Sequence, residues 1–135
     1  MPPLNFRQPG GSREVKAITA AYTVTDQDYG KIITNRGAGA SVTVTMPAPA
    51  TAEGESILFY TIAAQDFIVK AAAANQFVVS NDASASSVSI QTANQLIGNA
   101  VELVSDGTSW LVIPKPGTSL ATNTNFLKGG NFTNA

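Results

Sequence analysis

Three places in this 135-residue chain bring together side chains that could do chemistry. Asp26-x-Asp28-x-Gly30 has the opening spacing of a calcium loop, Glu53 and Glu55 form a carboxylate pair around Gly54, and Gly37-Ala38-Gly39-Ala40 is glycine-rich in the manner of a phosphate cradle. Each is incomplete. A helix-loop-helix calcium site needs a bidentate Glu at its twelfth position, which here is Gly37, so the Asp pair reads as a turn in which Asp caps its own backbone. Glu53 and Glu55 would share a face on a strand, as a glycosidase pair requires, but they come from one short polar loop with no aromatic platform beside it and read as solvated surface. No Lys-Ser/Thr follows the glycines and no helix opens after them, so residues 37–40 read as a flexible hairpin. Trp110 suits a sugar platform or a core position; its place at the start of an apolar strand favours the core. Asn131-Phe132-Thr133 matches a glycosylation acceptor without an export signal to give it meaning.

The chain has neither histidine nor cysteine. That removes Ser-His-Asp and Cys-His nucleophiles, zinc sites and iron-sulfur clusters together, so the expectation is a protein that is not an enzyme and holds no metal or cofactor. It also removes a disulfide-stapled scaffold. No apolar run approaches the roughly 18 residues of a membrane helix, and the first 15 residues contain no signal-peptide core, so a soluble protein used without export is expected. Eight basic and nine acidic residues give a net charge of −1, unevenly spread. Arg7, Arg13 and Lys16 make residues 1–16 basic, residues 17–114 are acidic, and Lys115 and Lys128 make residues 115–135 basic. Neither tail clusters the five or more Lys/Arg of a nucleic-acid patch, so no nucleic-acid partner is expected.

These side chains must be positioned by strands, because no stretch has the period of a long amphipathic helix. Tyr22-Thr23-Val24-Thr25, Lys31-Ile32-Ile33-Thr34-Asn35 and Ser41-Val42-Thr43-Val44-Thr45-Met46 are β-branched runs broken by turn residues, the last placing Val42, Val44 and Met46 on one face. Pro47 and Pro49 end it. Residues 57–62, apolar but for Thr61, predict a central strand buried on both faces. Residues 67–70, 77–79 and 88–91 predict further strands; 71–74 read as a short helical turn or a loop and 81–87 as a polar loop. The best hairpin joins 100–105 to 110–113 through Asp106-Gly107-Thr108-Ser109. The sum is an all-β fold, an antiparallel β-sandwich or jelly-roll-like domain over residues 17–114, with an extended N-terminal arm over 1–16 and a C-terminal tail over 115–135. Only 39 residues are large and apolar, a thin core that favours burial of further surface between copies, which would also cover exposed strand edges.

Tyr22-Thr23-Val24-Thr25 with Asp28-x-Gly30-Lys31, then Ile33-Thr34-Asn35, Gly37-Ala38 and Val42-Thr43-Val44-Thr45-Met46-Pro47, resembles the repeating β-domain of tailed-bacteriophage virion surface proteins. The run from Ala100 to Ile113, with its Asp-Gly-Thr turn and following Trp110, is similar to the closing hairpin of those domains. The resemblance covers roughly residues 20–114. Such domains serve as capsid decoration (cement) proteins and as modules of tail fibres; a chain with one domain and no fibre segments favours decoration. The resemblance implies a homotrimer at local three-fold positions, with the major capsid protein as partner, at the virion capsid surface after assembly in the host cytoplasm. Composition nominates the arms for capsid contact: Leu4, Phe6, Arg7, Arg13 and Lys16 at one end, and Phe126, Leu127, Lys128 and Phe132 at the other. The alternative is a tail-fibre or receptor-binding module that recognises a host surface glycan through exposed Trp110, Tyr22 or Tyr60.

Overall fold

The computed structural model describes residues 13–90, 97–115 and 120–122. Among the described residues, twelve short strands form two sheets that enclose one apolar core. In chain order they are β1 (Val15–Ala17), β2 (Tyr22–Thr23), β3 (Ile32–Thr34), β4 (Val42–Thr45), β5 (Ser56–Tyr60), β6 (Phe67–Lys70), β7 (Phe77–Val79), β8 (Asp82–Ala85), β9 (Ser87–Ile90), β10 (Ala100–Ser105), β11 (Trp110–Pro114) and β12 (Leu120–Thr122). The seven-stranded sheet runs β1-β3-β5-β10-β11-β7-β8 and the five-stranded sheet β12-β9-β6-β4-β2.

The all-β sandwich expected from the sequence is present, but its sheets are mixed. The first six strands alternate between the sheets, so β1, β3 and β5 lie parallel in one and β2, β4 and β6 parallel in the other. Parallel neighbours need a crossover, and here the crossover of each pair contains a strand of the opposite sheet. The result is three stacked rungs of a solenoid, closed by the antiparallel strands β10 and β9. A period-two pattern places faces but carries no strand direction, which is why an antiparallel fold and this one read alike in the sequence.

Alternation sets the core. Ile33, Val42, Val44, Met46, Ile57, Phe59, Phe67, Val69, Leu103 and Trp110 are fully buried, and Phe59 meets Phe67 edge-on at 5.7 Å between ring centroids. The hairpin of β10 and β11 has the expected form, with Ser105 opposite Trp110 and Gly107 at φ +90°. Four local expectations are corrected. Residues 57–62 are buried on one face only: Ile57, Phe59 and Thr61 point in, while Leu58 is half-buried and Tyr60 is 40% exposed. Residues 37–40 are no hairpin, since β3 and β4 lie in different sheets. Residues 81–87 contain β8, paired with β7 through a tight turn in which Asn81 takes φ +62°. Finally, Val15–Ala17 and Leu120–Thr122, drawn within or across the expected arms, are strands β1 and β12. Residues 71–74 form a loop.

Candidate functional site at the open end of the solenoid

Strands β1 and β2 are the edges of their respective sheets at the same end of the sandwich. In the rungs behind them, the inward positions hold Ile33 and Val44; their register partners in the outermost rung are Lys16 and Tyr22. Apolar side chains there would leave the margin of the core in water. Instead the two polar groups close over it, joined by Asp28 from the turn between β2 and β3. The Lys16 ammonium donates to the Tyr22 hydroxyl at 2.6 Å and lies 4.4 Å from the ring centroid, and that hydroxyl donates to Asp28 Oδ2 at 2.7 Å.

Asp28 is 1% exposed, and its partners balance its burial. The Thr25 amide donates to Oδ2 at 2.9 Å, and the Lys16 and Lys31 ammoniums each lie 3.6 Å from Oδ1. Lys31 also pairs with Glu14 at 3.6 Å. Burial works to raise the Asp28 pKa, but the Thr25 amide, the Tyr22 hydroxyl and the two lysines outweigh it and hold the carboxyl below its ordinary value of 3.8. The Lys16 pKa is raised, first by its hydrogen bond to Tyr22, against a smaller lowering by desolvation. An ionised carboxylate held between protonated amines offers neither a free base nor a nucleophile; what this cluster can do is lock charge at the end of the fold. The Asp26-x-Asp28-x-Gly30 turn thus caps Thr25, with lysine ammoniums as the cations that face Asp28.

The pH dependence follows. Because the folded pKa of Asp28 is lowered, its contribution is complete above the unfolded value of 3.8 and is lost as pH falls through the folded value. Asp28→Asn is expected to cost about 3 kcal/mol at neutral pH, since it leaves two lysines facing a neutral amide. Urea midpoints across the acid range should show a shallower acid limb in the variant; parallel limbs would contradict the ion network.

The other sequence candidates separate. Arg13 and Lys16 both reach this end of the fold: Arg13 Nε donates to the Gly30 carbonyl at 2.9 Å and Nη2 to the Lys31 carbonyl at 3.3 Å. Leu4, Phe6, Arg7, Phe126, Leu127, Lys128 and Phe132 lie outside the described residues. Glu53 and Glu55 are exposed on a turn, with Gly54 at φ +84° between them, rather than on one strand face, and Glu53 packs over Gly107. Trp110 is fully buried, with its indole N–H donating to the Pro47 carbonyl at 2.9 Å, so it is a core residue and no sugar platform. The Tyr22 hydroxyl is engaged with Lys16 and Asp28, which leaves Tyr60 as the exposed member of that trio. A shallow open groove of 460 Å³ lies between Lys70, residues 71–74 and Ser86–Ser87 and presents one charge, that of Lys70.

The sequence also missed a surface. Outward positions of the five-stranded sheet carry Thr23, Thr43, Thr45, Ile68, Lys70 and Ser89, mostly polar, whereas those of the seven-stranded sheet carry Val15, Ile32, Leu58, Tyr60 and Ile113 beside Thr34 and Glu102. The signal was the consecutive apolar residues Ile57 to Tyr60, of which Leu58 and Tyr60 lie on the outward face. No family model matches the chain, and no curated protein matches it.

Proposed function

We propose that this chain is a structural virion protein, a capsid decoration (cement) protein that binds at capsomer junctions as a homotrimer and stabilises a phage head. The resemblance of residues 20–114 to phage surface β-domains supports this reading. The observation that carries it is the fixed root of the N-terminal arm. Arg13 and Lys16 tie the chain to the Gly30 and Lys31 carbonyls and to the buried Asp28, so a load on residues 1–12 is transmitted through charge-assisted bonds into the first rung. A cement protein needs that coupling: an arm that grips a capsid stabilises it only if the body does not yield first. Three arms on one oligomer add by effective concentration, which raises avidity by about 10²- to 10⁴-fold over one arm.

Deletion of residues 1–12 preserves β1 and its ion network and tests the arm alone. Co-sedimentation with undecorated heads is expected to be lost, with an unchanged circular dichroism spectrum; undiminished pelleting would exclude the N-terminal arm as the grip.

A further inference from the structure

We infer that the outward face of the seven-stranded sheet is the contact surface between copies of this chain. The inference takes from the proposed function only that the chain assembles with itself. Strand register places Val15, Ile32, Leu58, Glu102 and Ile113 side by side in one row across five strands. Val15 is 61% and Ile113 43% exposed. A second row, Val104-Leu111-Val78, runs beside it, and Tyr60 stands on the other flank. The opposite sheet, with threonine and serine at most equivalent positions, is what a solvated sheet face looks like; this one is not.

Size and charge identify the occupant. Six strands about 4.8 Å apart and three rows about 7 Å apart present roughly 500 Å² on each copy, or about 1,000 Å² buried between two, the lower bound of a specific protein interface. Among the described residues of these six strands and their ends, the outward charges beside this apolar patch are Glu102 and Lys115, paired at 3.2 Å and both partly exposed, and Asp106 at the end of β10, whose carboxylate accepts from the Thr108 and Ser109 amides. The Glu102–Lys115 pair is complementary to the same pair on another copy: in a closed symmetric assembly Glu102 of each copy meets Lys115 of the next.

The test is the mass of the full chain in solution by sedimentation velocity, from about 1 to about 100 µM. The wild type is expected at a multiple of 14.0 kDa at the upper end. Ile113→Glu and Val15→Glu are expected to run at 14.0 kDa with unchanged circular dichroism, while Thr43→Glu on the opposite sheet remains assembled. Glu102→Lys and Lys115→Glu are each expected to weaken association at least tenfold, and mixing these two variants is expected to restore it, because one face is then doubly basic and the other doubly acidic. Restoration on mixing needs contact between copies, which an ion pair within one chain would not give. A wild type of 14.0 kDa throughout, an Ile113→Glu variant assembled like the wild type, or no restoration on mixing would each overturn the inference. Head binding is scored separately: an assembled protein that ignores heads overturns the decoration reading and leaves this face standing, and a monomer that still pellets with heads does the reverse.

Discussion

Trp110→Ala is expected to destabilise the protein by about 4 kcal/mol. The indole is fully buried at the start of β11, opposite Ser105 on β10 and Phe77 on β7, with the Tyr29 ring 6.3 Å away. Its removal leaves a cavity and also strips the Pro47 carbonyl of its donor, so transfer, packing and hydrogen-bond losses act together. Trp110→Phe refills much of the volume but not the hydrogen bond, and about 1–2 kcal/mol of loss is expected. The residue is the chain's single tryptophan, so both variants lack that fluorophore and unfolding is followed by circular dichroism. A denaturant midpoint that Trp110→Ala leaves unchanged would mean that the indole is peripheral, as a sugar platform would be.

The second large effect is expected at Asn35, which is fully buried just after β3. Its Oδ1 accepts from the amides of Ile62 at 2.7 Å and Ala63 at 2.8 Å, and its Nδ2 donates to the Ala63 carbonyl at 3.2 Å. One side chain therefore satisfies three backbone groups of the turn that leads from β5 to β6, and so fastens the second rung to the third. Asn35→Leu strands the amides of Ile62 and Ala63, while the Ala63 carbonyl keeps the Gln65 amide at 2.8 Å; at about 1–3 kcal/mol for each unsatisfied buried group, a total loss of about 2–6 kcal/mol is expected. Asn35→Asp separates the parts of the clamp: it keeps the two acceptor bonds but turns the donor to Ala63 into an oxygen facing an oxygen. Its stability is expected to improve as pH falls and the carboxyl protonates, opposite to the acid limb set by Asp28. Chemical denaturation at acid and neutral pH checks both substitutions, and a pH-independent Asn35→Asp would contradict the clamp.

The three sites were unequally legible. Lys16, Tyr22 and Asp28 are ordinary residues at ordinary spacing, and the sequence assigned Lys16 to an arm and Asp28 to a turn. Their meeting depends on β1 and β2 being the edges of two different sheets at the same end, which no local pattern encodes. Asn35 had no signal beyond its place after an apolar run, because its partners lie 27 and 28 residues away. Trp110 was legible, since a lone tryptophan opening an apolar strand after a tight turn has a local reason to be packed.

By itself the sequence determined the class of fold, the positions of most strands, the inward set of Val42, Val44 and Met46, the closing hairpin and the absence of histidine and cysteine chemistry. All of these follow from composition, turn residues or a two-residue period, which are properties of neighbours along the chain. Only the tertiary structure decided that the first six strands wind as parallel rungs, that Lys16, Tyr22 and Asp28 seal the end of the core, and that Leu58, Tyr60 and Ile113 share an outward apolar face. These are matters of strand direction and of which strand lies beside which. A side chain's period is the same for either direction, so the choice falls to the long-range packing of one rung on the next.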